Sequence, residues 1–184
     1  MEEFKKQAKE KMDKSIEALR NDFGTIRTGR ASLAILDNIK VDAYGSQMKI
    51  DQVASMAVPE SRLITIQPWD PKMIQPVEKA ILKSDLGINP TNDGKIIRLV
   101  IPPLTEERRK QVAKLAQKRS EEAKIAVRNI RREVIDKIKK YGKDNNIAKD
   151  LVKDATDEIQ TITDKHIKKI DDILQHKEAE IMEV

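Results

Sequence analysis

Fourteen basic side chains, against six acidic ones, crowd into residues 105–143. At about 100° per residue, Lys110, Lys114, Lys124, Arg128, Arg131, Arg132 and Lys139 share one arc of roughly 100° on a helix. Glu121 interrupts that arc directly, and Asp136 lies at its edge. A rigid cationic ridge of this kind matches a phosphate backbone. Arginine forks can also pair bidentately with phosphate oxygens or guanine edges. The ridge equally suits a solvated face balanced by an acidic neighbour, because residues 144–184 carry 6 basic and 11 acidic side chains. The triplet in Arg128-Asn129-Ile130-Arg131-Arg132 favours RNA, since solubility alone has no need of arginine over lysine.

Other chemistry is scarce. The 184 residues include no cysteine and two histidines, which excludes disulfides and thiolate metal sites and leaves little for zinc or a histidine base. The run from Gly87 to Gly94 lacks the ending of a phosphate loop, and Asp93-Gly94 reads as a turn. His166 and His176 are expected at partly exposed helix positions, and Trp69 as a packing anchor beside a helix start. No hydroxyl has a visible base, and no carboxylate pair demands acid–base work. No catalytic residue, metal or cofactor is therefore expected. No run of about 18 apolar residues exists, and the first residues lack the apolar core of a signal peptide. A soluble, cytoplasmic protein is expected.

The elements that must position the ridge follow from proline and periodicity. All seven prolines lie between Pro59 and Pro103, so long helices are confined to the flanks. A first helix over about 2–26 carries Phe4, Ala8, Met12, Ile16, Leu19, Phe23 and Ile26 at spacings of three and four. A second opens at Thr105 with a stripe from Val112 and Leu115 to Tyr141, and ends at Gly142. A third starts near 144–146, with a stripe that includes Ile147, Leu151, Ala155, Ile159 and Ile170. Three such helices predict an elongated bundle of residues 1–29 and 105–184.

The middle, residues 30–104, reads as a small inserted β/α/β domain. Its strands are expected over 38–44, 49–58, 62–66 and 95–101. Its helix is capped by Asp70, begins at Pro71 and is ended by Gly87. The fold class is thus α+β. The two crossings, around Gly29 and Pro102-Pro103, read either as a hinge or as an ordinary helix stop and turn. Two rival functions stand at this level. One is a helical module binding protein through an apolar seam. The other is a hydrolase built on the inserted domain, which the missing nucleophile–base pair argues against.

Several blocks in order are specific: Arg27-Thr28-Gly29-Arg30-Ala31-Ser32, Leu36-Asp37-Asn38-Ile39-Lys40-Val41, Ser84-Asp85-Leu86-Gly87, Ile101-Pro102-Pro103-Leu104-Thr105-Glu106-Glu107-Arg108-Arg109-Lys110 and Ala126-Val127-Arg128-Asn129-Ile130-Arg131-Arg132. With them the sequence closely resembles the bacterial ribosome recycling factor family over essentially its whole length. Leu33, where many relatives have proline, and the variable Gln67-Pro68-Trp69-Asp70 depart from the pattern away from the basic face.

The resemblance implies an L-shaped, monomeric, non-enzymatic translation factor. It would release ribosomes from mRNA after termination, splitting post-termination ribosomes into subunits together with elongation factor G and GTP. It implies that the bundle lies on large-subunit rRNA in the A/P-site region, with no membrane partner. The family's rRNA contact maps onto Arg131, supported by Arg109, Arg128 and Arg132; Lys110 and Lys124 of the ridge complete the expected RNA face. The family hinge maps onto Thr28, Gly29, Arg30, Pro102, Pro103 and Leu104, and the inserted domain would face elongation factor G.

Overall fold

The computed structural model describes residues 1–183. In chain order the elements are α1 (Glu2–Thr25), β1 (Lys40–Ala43), β2 (Ser46–Lys49), β3 (Ala54–Glu60), β4 (Leu63–Pro68), α2 (Ile74–Lys83), β5 (Thr91–Asn92), β6 (Ile97–Val100), α3 (Glu106–Asp144) and α4 (Lys149–Met182). Short 3-10 turns stand at Leu33–Leu36, Ile50–Gln52 and Pro71–Met73. The chain forms two compact units, Met1–Arg27 with Glu106–Glu183, and Thr28–Thr105.

The first unit is a helical bundle of α1, α3 and α4. Helix α1 buries Ala8, Met12, Ile16, Leu19 and Phe23, the expected stripe of one helix face. Helix α3 buries Val112, Ala116, Ser120, Val127, Val134 and Ile138, and α4 buries Ala155, Ile159, Thr163, His166 and Ile170. Phe4 meets Tyr141 edge-on with ring centroids 5.5 Å apart, a favoured aromatic geometry.

Four expectations for these helices are corrected. Gly142 does not end α3, which runs on to Asp144. It lies buried inside the helix, where a Cβ would come within 2.5 Å of Val152 Cγ2. Helix α4 starts at Lys149 rather than near 144–146, after a connection in which Asn146 takes a left-handed φ of 51°. Leu115 and Leu151 are substantially exposed because they fall to the side of the buried stripe, and Tyr141 is exposed near the end of α3 although its ring meets Phe4. Ser120 occupies that stripe instead, and its Oγ has no hydrogen-bond partner among the described residues. His166 is buried rather than partly exposed. It is turned inward with Nδ1 2.7 Å from the Ile162 carbonyl oxygen and Nε2 2.9 Å from Asp13 Oδ1.

The second unit holds an antiparallel sheet in the order β3-β4-β6-β5 and a separate β1-β2 hairpin. Helix α2 turns Ile74, Val77 and Ile81 into a core shared with Leu36, Val41, Ile50, Ile64, Ile66, Ile97 and Leu99. The register sets Ile64 against Leu99 and Ile66 against Ile97, so the inward pairs stack on one face. Asp70 accepts from the Lys72 N–H at 2.9 Å with Pro71 directly after it, the expected helix entry, although a 3-10 turn precedes α2.

The small unit also departs from the expectation in four places. Residues 49–58 are not one strand. The 3-10 turn at Ile50–Gln52 interrupts them because Ile50, Val53 and Ala54 are buried at turn spacing, while the Gln52 side chain accepts from the Lys49 N–H. Ser46–Lys49 is a strand that its polar sequence concealed; it pairs with β1 across Tyr44 and Gly45, at φ of 51° and 80°. Helix α2 stops at Lys83, well before Gly87, where the Ser84 N–H and hydroxyl both turn back to the Ile81 carbonyl. Trp69 is no packing anchor. It is 67% exposed, because β4 alternation already points Ile64, Ile66 and Pro68 inward. Among the described residues no helix is long and apolar enough to cross a membrane.

Candidate nucleic-acid interface

Helix α3 is the scaffold of the basic face. Its 39 residues span about 58 Å at 1.5 Å per residue. The helix opens directly after Thr105, with Glu106 and Glu107 in the first turn, where the dipole favours anions. The buried stripe from Val112 to Ile138 sets the rotation of the helix. That rotation leaves the basic arc beside the core, with Lys124 and Arg131 reaching across to α4.

The side chains of the arc are not equivalent. Lys110 is exposed and pairs with Glu106 at 2.8 Å. Lys124 is largely covered and lies between Asp171 at 2.6 Å and Glu121 at 3.0 Å. Its hydrogen bond to Asp171, with help from Glu121, holds the ammonium above the ordinary lysine range despite burial. Lys124 is thus an interhelix strut, and two carboxylates take up its charge.

Arg131 is half-buried and donates from Nη1 to Gln160 Oε1 at 3.0 Å. Gln160 in turn donates from Nε2 to Asp164 Oδ1 at 2.8 Å. Arg128 is half-buried and Arg132 exposed. Among the described residues, Arg128, Arg132, Lys114 and Lys139 form no hydrogen bond or ion pair. Arg109 is half-buried and engaged within the fold. The structure therefore brings Arg128, Arg131 and Arg132 together within two helical turns, while Lys110 and Arg109 lie several turns away.

A register links these residues to α4 in seven-residue steps. Gln117 donates to Glu178 at 2.8 Å, Lys124 reaches Asp171, and Arg131 reaches Asp164 through Gln160. Steps of seven keep one side of each helix facing the other. The α4 partners were not singled out from sequence, although Asp164, Asp171 and Glu178 recur there at that same interval.

In the second unit, Thr28 is buried and Gly29 has φ of 80°. A Cβ on Gly29 would lie 3.4 Å from both Leu104 Cγ and Leu104 N, so the two crossings run side by side at this point. Both are tied to one turn. The Ala31 N–H donates to the Ser61 carbonyl at 2.7 Å, and the Ile101 N–H donates to the Arg62 carbonyl at 2.8 Å. Arg30, Pro102 and Pro103 are exposed, and Leu104 is half-buried. Among the described residues no group of three metal-ligating side chains gathers.

Residues 19–182 match the family model described as ribosome recycling factor. The ribosome-recycling factor of Desulfatibacillum aliphaticivorans is 59% identical over 177 residues, covering 96% of each chain. That of Caldicellulosiruptor bescii is 56% identical over 177 residues, again covering 96% of each. A solution structure of the ribosome recycling factor superposes with a TM-score of 0.76 at 42% identity, covering 100% of this chain and 97% of the other. A second similar chain comes from models of the T. thermophilus ribosome recycling factor and the E. coli elongation factor G on the E. coli post-termination complex. Its TM-score is 0.66 at 42% identity, covering 99% and 98%.

Proposed function

The chain belongs to the ribosome recycling factor family, and from that premise we propose that it splits post-termination ribosomes into subunits, together with elongation factor G and GTP, and so releases them from mRNA. The observation that carries this reading is the cluster of Arg128, Arg131 and Arg132 on α3. Two of its guanidiniums have no partner among the described residues, and the third is held by a neutral amide.

In this reading residues 1–29 and 105–184 lie on large-subunit rRNA in the A/P-site region. Arg128, Arg131 and Arg132 grip phosphates or guanine edges there, Arg109 and Lys110 extend the contact several turns toward the start of α3, and Lys124 braces the seam beside the cluster. Each phosphate contact displaces counterions, so affinity falls with salt. The packed helices supply stiffness, and residues 30–104 receive elongation factor G. Thr28, Gly29, Arg30, Pro102, Pro103 and Leu104 form the joint. The partner hydrolyses GTP, and this chain acts as a cytoplasmic monomer with no reaction of its own.

The test is light scattering of post-termination ribosomes mixed with the purified protein, elongation factor G and GTP. The expected result is a fall in scattering that requires all three additions. Intact ribosomes in a mixture where the protein binds and its cognate elongation factor G is present would sink the reading. For the RNA face, Arg131→Ala should weaken ribosome binding and flatten its salt dependence while leaving helicity intact. Binding unchanged across a salt titration would remove Arg131 from the contact.

A further inference from the structure

We propose that Gln160 is a positioning residue for Arg131, one that aims the guanidinium without neutralising it. The inference rests on the RNA-binding reading of Arg131 given above. Its ground is the contrast between two neighbouring steps of one register. At Lys124 the α4 partner is a carboxylate in direct contact, Asp171 at 2.6 Å, with Glu121 on the other side. Seven residues on, Arg131 meets the carboxamide of Gln160 at 3.0 Å, and the acid of that step, Asp164, stands behind the amide at 2.8 Å from Gln160 Nε2.

The chemistry of the two steps differs accordingly. A carboxamide has an acceptor at one end and donors at the other. Asp164 takes a donor proton of Gln160, which turns the amide oxygen toward Arg131 and fixes its orientation. The oxygen then accepts one of the five guanidinium N–H groups. This is the one hydrogen bond of the Arg131 side chain among the described residues, so the remaining donors stay available for a planar, bidentate acceptor. A long side chain that is already oriented loses less freedom on binding. Because the group touching it is neutral, the positive charge remains available to a phosphate. The same position filled by a carboxylate would make Arg131 a second strut like Lys124.

The test measures binding of the full chain to purified large ribosomal subunits across a salt series. The variants are Gln160→Glu, Gln160→Met, Arg131→Ala and the double variant Arg131→Ala/Gln160→Glu. Circular dichroism and thermal midpoints serve as the control for folding. Gln160→Glu places a carboxylate on the guanidinium. It should weaken binding by on the order of tenfold and flatten the log–log salt slope by about 0.7 to 0.9, the loss of one phosphate contact. Gln160→Met keeps length and charge but loses the acceptor. It should weaken binding a few-fold, the cost of ordering one freed long side chain on binding, with the salt slope unchanged. In the Arg131→Ala background, Gln160→Glu should add nothing.

A purely structural role would lower the thermal midpoint and leave the slope alone. If Arg131→Ala weakens binding but both single Gln160 variants bind as the wild type does, the positioning role is wrong and the RNA reading stands. If Gln160→Glu acts equally with and without Arg131, the effect is general repulsion and the proposal fails. If Arg131→Ala binds normally, the RNA reading falls and the proposal falls with it.

Discussion

Gly142 of α3 lies against Val152 of α4 so closely that a Cβ built on it would stand 2.5 Å from Val152 Cγ2. The contact decides the sign of a substitution that helix propensity alone gets wrong. Glycine inside a helix costs about 1 kcal/mol relative to alanine, so Gly142→Ala ought to stabilise. Overpacking a filled core costs about 1–3 kcal/mol, and here the obstructing atom belongs to a β-branched side chain with one stiff rotamer in a helix. Gly142→Ala should therefore lower stability in denaturant titration, and Val152→Ala should recover part of the loss.

Gly24 is the internal control. Nothing lies within 4 Å of its would-be Cβ, and it sits in the last turn of α1. Gly24→Ala should stabilise the bundle by about 0.5–1 kcal/mol. A loss of stability on thermal unfolding would contradict the open space described at that site.

The buried imidazole of His166 joins α4 to α1. Its two ring nitrogens face two acceptors, the Ile162 carbonyl and the Asp13 carboxylate, so the ring is held from both sides. His166→Ala and Asp13→Ala should each destabilise by about 1–3 kcal/mol. The double variant should cost less than their sum, as coupled neighbours do. Additive losses would show that the two side chains act separately.

Asp93 predicts an acid-range signature in the small unit. Backbone N–H groups of Ile96 and Lys95 hydrogen-bond its carboxylate, Arg98 adds a third donor, and together they lower its pKa from 3.8 to about 2. A depressed carboxyl pKa contributes stability above the ordinary value, and that contribution is lost as pH falls through the folded one. The stability gap between wild type and Asp93→Asn should thus be constant near neutrality and close between about pH 4 and 2. A gap independent of pH across that window would exclude the mechanism.

The basic arc predicts a division of labour between two lysines. Lys124 is covered and shared by Asp171 and Glu121, whereas Lys114 is exposed and unpaired among the described residues. Lys124→Ala should lower bundle stability more than Lys114→Ala. Lys114→Ala should leave the melting curve in place, because isolated surface positions contribute little.

Long periodic segments were legible because their geometry repeats. The five buried residues of α1 are five of the seven its spacing names, with Phe4 half-buried and Ile26 just past the helix end, and the basic arc follows from the angular arithmetic of a single helix. What escaped depends on contacts between segments. Gln160 lies 29 positions from Arg131, and His166 lies 153 from Asp13. No local pattern announces either meeting. Gly142 read as a stop because glycine commonly ends helices, although here it makes room for a neighbour. The hairpin at Tyr44-Gly45 stayed hidden because turns with two left-handed residues usually display Asn-Gly, and because Ser46-Gln47-Met48-Lys49 lacks apolar alternation.

The order of the chain gives the two units different histories. The small unit is continuous, from Thr28 to Thr105, and α1 precedes the whole of it. As the polypeptide is made, α1 emerges with Ala8, Met12, Ile16, Leu19 and Phe23 already in place and no helix to receive them. The small unit can close on its own contacts while that stripe waits in solvent. The bundle closes only when α3 and α4 arrive, over separations such as the 122 residues between Lys11 and Glu133. Pairings so remote in sequence form slowly, so until α3 and α4 have been made the apolar face of α1 has no partner helix to bury it.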